Sequence, residues 1–470
     1  MTTKFENGLF IFRRDLRLTD NNGLNLLNSK CKSIYTIFIF TPEQVGNANK
    51  YKSDNAVQFM IESLQDLASN ISKMGGQMYT FYGHNDAVIA DCIKAWNIDV
   101  VCFNLDITPY ARERDFKIAQ LCKKMETPLM YAYDYYLCEP GTIVNGSGES
   151  YQKFTPYYEK AKKLKVESPA GVRKLHLTKS SAHISNKITL EEAMKKFVGK
   201  ENADILVHGG SANALKALKT AIKTQSHYGK THNDLDKPTS RLSSYINFGC
   251  LSIRKIYYSF KSNTEFIRQL YWGSFYANVL YNYPKIIHKS LNPKYDNIKW
   301  NHNEGWFKKW CDGQTNFPIV DACMQELNTT GFLHGRGRLI VASFLVKTML
   351  INYKKGEKYF ANNLTDYNVT NNLNNWMWVT GNGASSQEYF KIFNPWSQSV
   401  EHDPEAVYIK KWLPQLQDVP AKAIHNWYKE WDNYKDTGYG KPILDYDEQK
   451  KLALDMYREA LHLWTFKTPS

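Results

Sequence analysis

The feature that most constrains this chain is a change of hydrophobic period about a third of the way along it. Up to about residue 136, short runs rich in β-branched and aromatic residues alternate with longer amphipathic ones. GLFIFRR (8–14), SIYTIFIF (33–40), QMYTFYG (77–83), DVVCFNL (99–105) and LMYAYDYY (129–136) have the length and composition of strands. Between them, residues 55–74, 85–97 and 110–125 repeat their apolar positions at helical spacing. Strands separated by helices predict a parallel α/β sheet with right-handed crossovers. From about 206 onward the period is 3.6, clearest at 212–223, 266–281, 318–331, 338–353 and 447–464. The stretch between opens CEPGTIVNGSGES, turns Lys- and Ser-rich, and reads as a long surface connection. The predicted organisation is an α/β domain over 1–136, a linker over 137–205 and an all-helical domain over 206–470.

Several classes of protein are excluded. No run of eighteen apolar residues occurs, so a membrane-spanning helix is not expected. The opening MTTKFENGLFIFRRD passes from polar residues straight into a strand, without the apolar segment of a signal peptide. The expectation is a soluble intracellular protein of the cytoplasm or nucleoid. The eight cysteines are scattered without a CxxC spacing, which points to buried reduced thiols and to neither a disulfide framework nor a metal site. FRRDLRLTDN, after the first strand, lacks GxGxxG, which disfavours a dinucleotide on a Rossmann phosphate loop. Lys and Arg number 60 against 46 Asp and Glu, a net charge of +14 that favours phosphate backbones or anionic surfaces. The 12 Trp and 31 Tyr would fill a large core, or offer platforms to extruded bases beside a basic surface.

Three segments of the helical half are chemically unusual. Thr239-Ser240-Arg241-Leu242-Ser243 sets hydroxyls and an arginine ahead of a helical run, which suits a phosphate cradle or an ordinary N-cap. His334-Gly335-Arg336-Gly337-Arg338 opens an apolar helix with two arginines at short spacing, facing ligands or solvent. Asp366 is followed by Asn368, Asn371, Asn372, Asn374 and Asn375, then by Trp376 and Trp378. Amides are poor helix formers, so that cluster predicts a loop or a polar ligand edge.

Together with Phe12–Asn21, Gln269–Trp272, Phe317–Ala322, Gly331–Phe344 and Ile392–Ser399, these segments resemble the photolyase/cryptochrome flavoproteins over essentially the whole chain. The pattern is most like a class I cyclobutane pyrimidine dimer photolyase. The resemblance implies an α/β antenna-type domain and FAD buried in a U shape inside the helical domain. It assigns Tyr228, Thr239, Ser240, Arg241, Leu242 and Ser243 to the diphosphate side, Arg338 and Asp366 to an ion pair against the isoalloxazine, and Asn372 to flavin N5. Asn368, also toward FAD, replaces an aspartate common in the family, and Gly273 replaces a common arginine near the diphosphate. The missing charge at Gly273 calls for a compensating donor.

The same resemblance implies light-driven DNA repair, in which an electron passes from excited reduced FAD to a flipped-out pyrimidine dimer, the ring opens and the electron returns. Trp272 and Trp378 would flank the lesion, Gln269 would contact it in place of a common glutamate, and Arg336, Arg338, Leu339 and Lys391 would line the mouth. Gly335 and Leu339 stand where a (6-4) photolyase carries histidines, which argues against that lesion. Photoreduction would run through Trp376, Tyr353 and Trp300. A tyrosine in the middle predicts a slower link and reduced yield, with Trp306 and Trp310 as a bypass. Asn104–Asp115 follows the fourth strand, where a second chromophore of folate or deazaflavin type would be expected. The resemblance implies UV-damaged DNA as the partner and a monomeric protein. The alternatives are a cryptochrome-type photoreceptor, disfavoured by the short segment after Trp412-Leu413-Pro414, and a light-independent DNA-binding flavoprotein, which leaves Trp272 and Trp378 unexplained. The reading requires an FAD-sized hollow opening between Trp272 and Trp378.

Overall fold

The computed structural model describes residues 4–171 and 173–465. Five strands, β1 (Phe5–Phe12), β2 (Cys31–Phe40), β3 (Met78–Tyr82), β4 (Val100–Asn104) and β5 (Leu129–Ala132), form one sheet in the order β3-β2-β1-β4-β5. Every pairing is parallel. Helices α1 (Asn22–Asn28), α2 (Asp54–Lys73), α3 (Asn85–Trp96) and α4 (Pro109–Lys124) connect successive strands. A parallel sheet covered on both faces reads as an unbroken apolar run, as in Leu9–Phe12, whose four side chains are all buried. The period of two sorts them. Phe10, Phe12, Phe38 and Phe40 join a core continuous with the helical half, whereas Leu9, Ile11, Ile37 and Ile39 form a separate core with α3 and α4.

Strand β5 is shorter than its apolar run, because Asp134 has to leave the sheet. Its buried carboxylate accepts Arg17 Nη2 at 2.5 Å and Arg254 Nη2 at 2.8 Å, and a buried charge without such partners would be strongly destabilising. The turn carries Tyr135 and Tyr136 toward the helical half. The stretch 137–205 is more ordered than an irregular connection. It contains helix α5 (Phe154–Ala161) and a second helix over Leu190–Phe197 with a capping box at Thr189 and Glu192. Isolated bridges tie Leu177 to Ile34 and Lys187 to Phe81.

The site is framed by α6 (Thr264–Asn282), α7 (Glu304–Asp312), α8 (Gly335–Lys347), α9 (Tyr353–Asn363) and α10 (Val369–Thr380). Helix α8 stops well before the end of its apolar pattern, and Leu350 beyond it adopts a left-handed φ of 57°. Of the two settings the amide-rich segment allows, the structure takes the polar ligand edge and not the loop: from Val369 it is helix α10, with Asn368, Asn371, Asn372 and Asn375 on the cavity wall. Asn368 caps it, accepting from Asn371 N at 3.0 Å. Asn374 and Asn375 then donate Nδ2 to the carbonyls of Thr370 and Asn371 one turn back, each at 2.8 Å, which pairs the nitrogens of amides that would otherwise disfavour the helix. All eight cysteines are buried and unpaired. No described helix is long and apolar enough to cross a membrane, and the described residues contain no metal-binding group of His, Cys, Asp or Glu.

Candidate functional site

A cavity of about 580 Å³ opens among α6, α8 and α10, and both Trp272 and Trp378 line it. That volume is in the ordinary range of cofactor pockets, about 300–1,000 Å³. The hollow that the sequence reading demands is present.

Trp272 projects from α6 with one face already covered. Its ring stacks on Phe154 of α5 with centroids 3.8 Å apart and planes 7° from parallel. A platform so backed leaves a single face for a ligand and cannot swing away without breaking the stack. Gln269, one turn earlier, is exposed at the mouth, and Leu339 of α8 also lines the cavity.

Helix α8 delivers the cations. His334 caps it, with Nδ1 accepting Arg336 N at 3.0 Å. Burial, and then the nearby Arg338 and Arg336, push His334 down to about 4, so the imidazole is neutral as a cap acceptor must be. Asn233 Oδ1 accepts from Arg336 Nε at 3.2 Å and Nη2 at 2.7 Å, fixing that guanidinium at the cavity wall. Arg338 Nη2 meets Asp366 Oδ2 at 2.8 Å and Oδ1 at 3.1 Å, so the ion pair expected from the sequence forms. Lys391 lies outside the cavity on the exposed segment after α10, its carbonyl accepting Lys347 Nζ at 2.8 Å.

Asn372 lines the cavity with its amide already oriented. Nδ2 donates to the Glu357 carbonyl at 2.9 Å and to Glu357 Oε1 at 3.1 Å, leaving Oδ1 as the uncommitted end. Asn368 spends its Oδ1 on the helix cap and donates Nδ2 to Asn247 Oδ1 at 3.0 Å, where an aspartate would have met that oxygen with another. Of Thr239–Ser243, only Ser243 reaches the cavity wall. Leu242 is buried, and Arg241 is exposed with a left-handed φ of 53°. The helix begins only at Ser243, so the segment is an irregular strap and not a capped helix start. Tyr228 lines the cavity, its ring 4.9 Å from that of His232.

The three redox residues are not all neighbours. Trp300 and Tyr353 approach to 6.5 Å between ring centroids. Trp376, on the cavity wall, instead has Phe360 at 5.1 Å and the fully buried Trp310 at 6.3 Å, and Trp310 has Tyr359 at 5.5 Å.

Sequence reasoning missed the cavity residues that come from the α/β half, Arg14, Tyr135 and Tyr136, and the positioning partners Phe154, Asn233, Asn247 and Glu357. FRRD was the available signal for Arg14; the others are set by tertiary contacts that no local pattern announces. A second chromophore was expected beside Asn104–Asp115, after the fourth strand, and the carboxyl ends of β1 and β4 next to that stretch carry a polar network of the chain's own. Asp15, Asn21 and Asn104 form a buried network there, and Arg13 lies 3.8 Å over the Phe103 ring while pairing with Asp115 at 2.8 Å.

The donors suit FAD. Ser243 and the Tyr136 hydroxyl lie on the cavity wall with the guanidiniums of Arg14, Arg336 and Arg338, groups able to donate to oxyanions. With the Arg338–Asp366 pair and the oriented Asn372 amide, the site offers both phosphate and heterocycle contacts.

Fold and site thus define a two-part protein with a parallel α/β domain lacking a phosphate-binding glycine loop and a cofactor-sized cavity set mainly in the helical half. Residues 9–173 match the DNA photolyase family model, and 266–459 match that of the FAD-binding domain of DNA photolyase. A deoxyribodipyrimidine photo-lyase from Alkalihalophilus pseudofirmus is 31% identical, over 95% of this chain and 97% of its own. An archaeal photolyase from Sulfolobus tokodaii, solved with two FAD molecules, superposes with a TM-score of 0.86 at 34% identity, over 96% of this chain and 100% of its own. A bacterial class III photolyase from Agrobacterium tumefaciens superposes with a TM-score of 0.89 at 27% identity, over 98% of each chain. The chain belongs to the photolyase/cryptochrome family, and its cofactor is FAD.

Proposed function

We propose that this protein is a light-driven DNA photolyase that binds UV-damaged DNA as a monomer and splits cyclobutane pyrimidine dimers. The observation that carries the reading is that Trp272 and Trp378 line the same cavity as Arg338, Asp366 and Asn372. These residues would hold FAD, which when reduced and photoexcited would lend the dimer the electron that opens its ring. No side chain needs to act as a nucleophile, so the residues position, orient and exclude water. Extruding the lesion costs a few kcal/mol, and less at a poorly stacked site. Stacking on Trp272 and Trp378 would return about 1–3 kcal/mol per base. Gln269 at the mouth would both donate to and accept from a pyrimidine edge. Arg338, neutralised in part by Asp366, would favour negative charge on the ring it faces, and Asn372 Oδ1 would accept from a protonated N5. The class I reading rests on the order of the motifs, and the absence of histidine at Gly335 and Leu339 supports dimers over (6-4) lesions.

The test is restoration of a dimer-containing oligonucleotide by the reduced protein under near-UV or blue light. Light-dependent loss of the dimer is the expected result. Intact dimer beside normally photoreduced flavin would overturn the repair reading and leave the photoreceptor one.

A further inference from the structure

Gly273 leaves a gap in the charges available to FAD. It follows Trp272 on α6 and lines the cavity, and a Cβ built on it would meet nothing within 4 Å. The α/β half supplies Arg14, Tyr135 and Tyr136 to that same cavity. The backbone N–H of Leu137, next after Tyr136, donates to Ser274 Oγ at 3.2 Å, which pins this turn against the neighbour of Gly273.

Arg14 directly follows the end of β1 by two residues. Its Nη1 donates to Asn247 Oδ1 at 3.2 Å, and its guanidinium lies 4.9 Å from the centre of the Tyr135 ring. Nε is 3.2 Å from Asp106 Oδ2 without an aligned hydrogen bond, and the Tyr136 hydroxyl lies between the guanidinium and Thr370. Donors in a protein interior are rarely left unpaired, and a guanidinium has five N–H groups, more than one carboxylate and one amide satisfy. Part of the guanidinium's donor capacity therefore stays uncommitted at the cavity wall.

We propose that Arg14, from the α/β domain, supplies to the FAD diphosphate the cation that Gly273 does not. Asp106 and Asn247 orient the guanidinium, and Tyr136 adds a hydroxyl donor beside it. The cofactor is then held from both halves of the chain. The proposal rests on FAD occupying this cavity.

The experiment is titration of the apoprotein with FAD. Arg14→Gln is expected to raise the dissociation constant about tenfold, the size of one charge-assisted hydrogen bond, and Arg14→Lys to raise it less. Adding Gly273→Arg to Arg14→Gln should recover most of the loss, since the space beside Gly273 is open. Circular dichroism and melting of each apoprotein keep misfolding apart from lost affinity. Parent-like affinity in Arg14→Gln overturns the proposal, and so does a loss that neither Arg14→Lys nor the added Gly273→Arg relieves. A parent protein that takes up no FAD would instead overturn the reading of the cavity, before any variant is made.

Discussion

Asn372 has its amide nitrogen committed to Glu357, and this decides which atom it can offer a ligand. Glu357 is almost fully buried; burial pushes its carboxyl up, while Lys354, Asn372 and Tyr51 hold it down. A glutamine there can present either end to Asn372, so Glu357→Gln weakens the hold on the Asn372 carboxamide and leaves the backbone carbonyl of residue 357 as its secure anchor. The expected outcome is retained FAD with blue-light photoreduction falling by up to about tenfold, the value of one oriented hydrogen bond. Bleaching of the oxidised-flavin band in the presence of a thiol donor measures it, and an unaltered rate would refute the orienting role. Trp272 poses a question of the same scale. Trp272→Ala should weaken binding of dimer-containing DNA by about 1–3 kcal/mol while leaving undamaged duplex nearly unaffected. Phe154→Leu, which keeps an apolar side chain but removes the stacked ring, should show a smaller loss of the same selectivity.

Helices settle the electron route and one pH dependence. Helices α7 and α10 bring Trp310 to 6.3 Å from Trp376 on the cavity wall, whereas Tyr353 has its ring contact with Trp300, at 6.5 Å. A tyrosine has to shed its proton on oxidation, and a tryptophan does not on the same timescale. Trp310→Phe should therefore slow photoreduction more than Tyr353→Phe; transient absorption with the opposite ranking would restore the route through Tyr353. Lys347, in α8, is fully buried, and burial lowers it to about 7 while its ammonium holds the carbonyl of Lys391. Between pH 7 and its unfolded value near 10.4 the unfolded chain binds the extra proton, so this residue's penalty is full below pH 7 and fades as pH rises. Lys347→Met should gain most in melting temperature at pH 6 and least at pH 10, and a gain independent of pH would contradict this. The helices themselves were legible wherever an apolar stripe ran uninterrupted, as in α2 and α6. Helix α10 was not, because what satisfies its amides is their own back-bonding to the preceding turn. The end of β5 was hidden for another reason: Asp134 leaves the sheet for two arginines distant in sequence.

Across the whole molecule, the net charge of +14 announced an anionic partner without saying where it sits. The motifs named the residues of the helical wall, and the fold added the α/β wall that periodicity could not reveal. Two cations assigned to one DNA mouth prove to occupy different settings. Arg336 is clamped by Asn233 on the cavity wall, whereas Lys391 is exposed on the segment beyond α10. Each phosphate contact that releases counterions contributes a slope of about −0.9 in log affinity against log salt. Lys391→Gln should therefore weaken damaged and undamaged duplex alike and flatten both slopes by about one. Arg336→Gln should do the same and, because it also loosens the wall beside the lesion, cost damaged DNA more than undamaged. Equal losses on the two DNAs for Arg336→Gln would place it with Lys391 on the outer groove. Unchanged affinity and slope in both variants would move the DNA path off this face of the helical half.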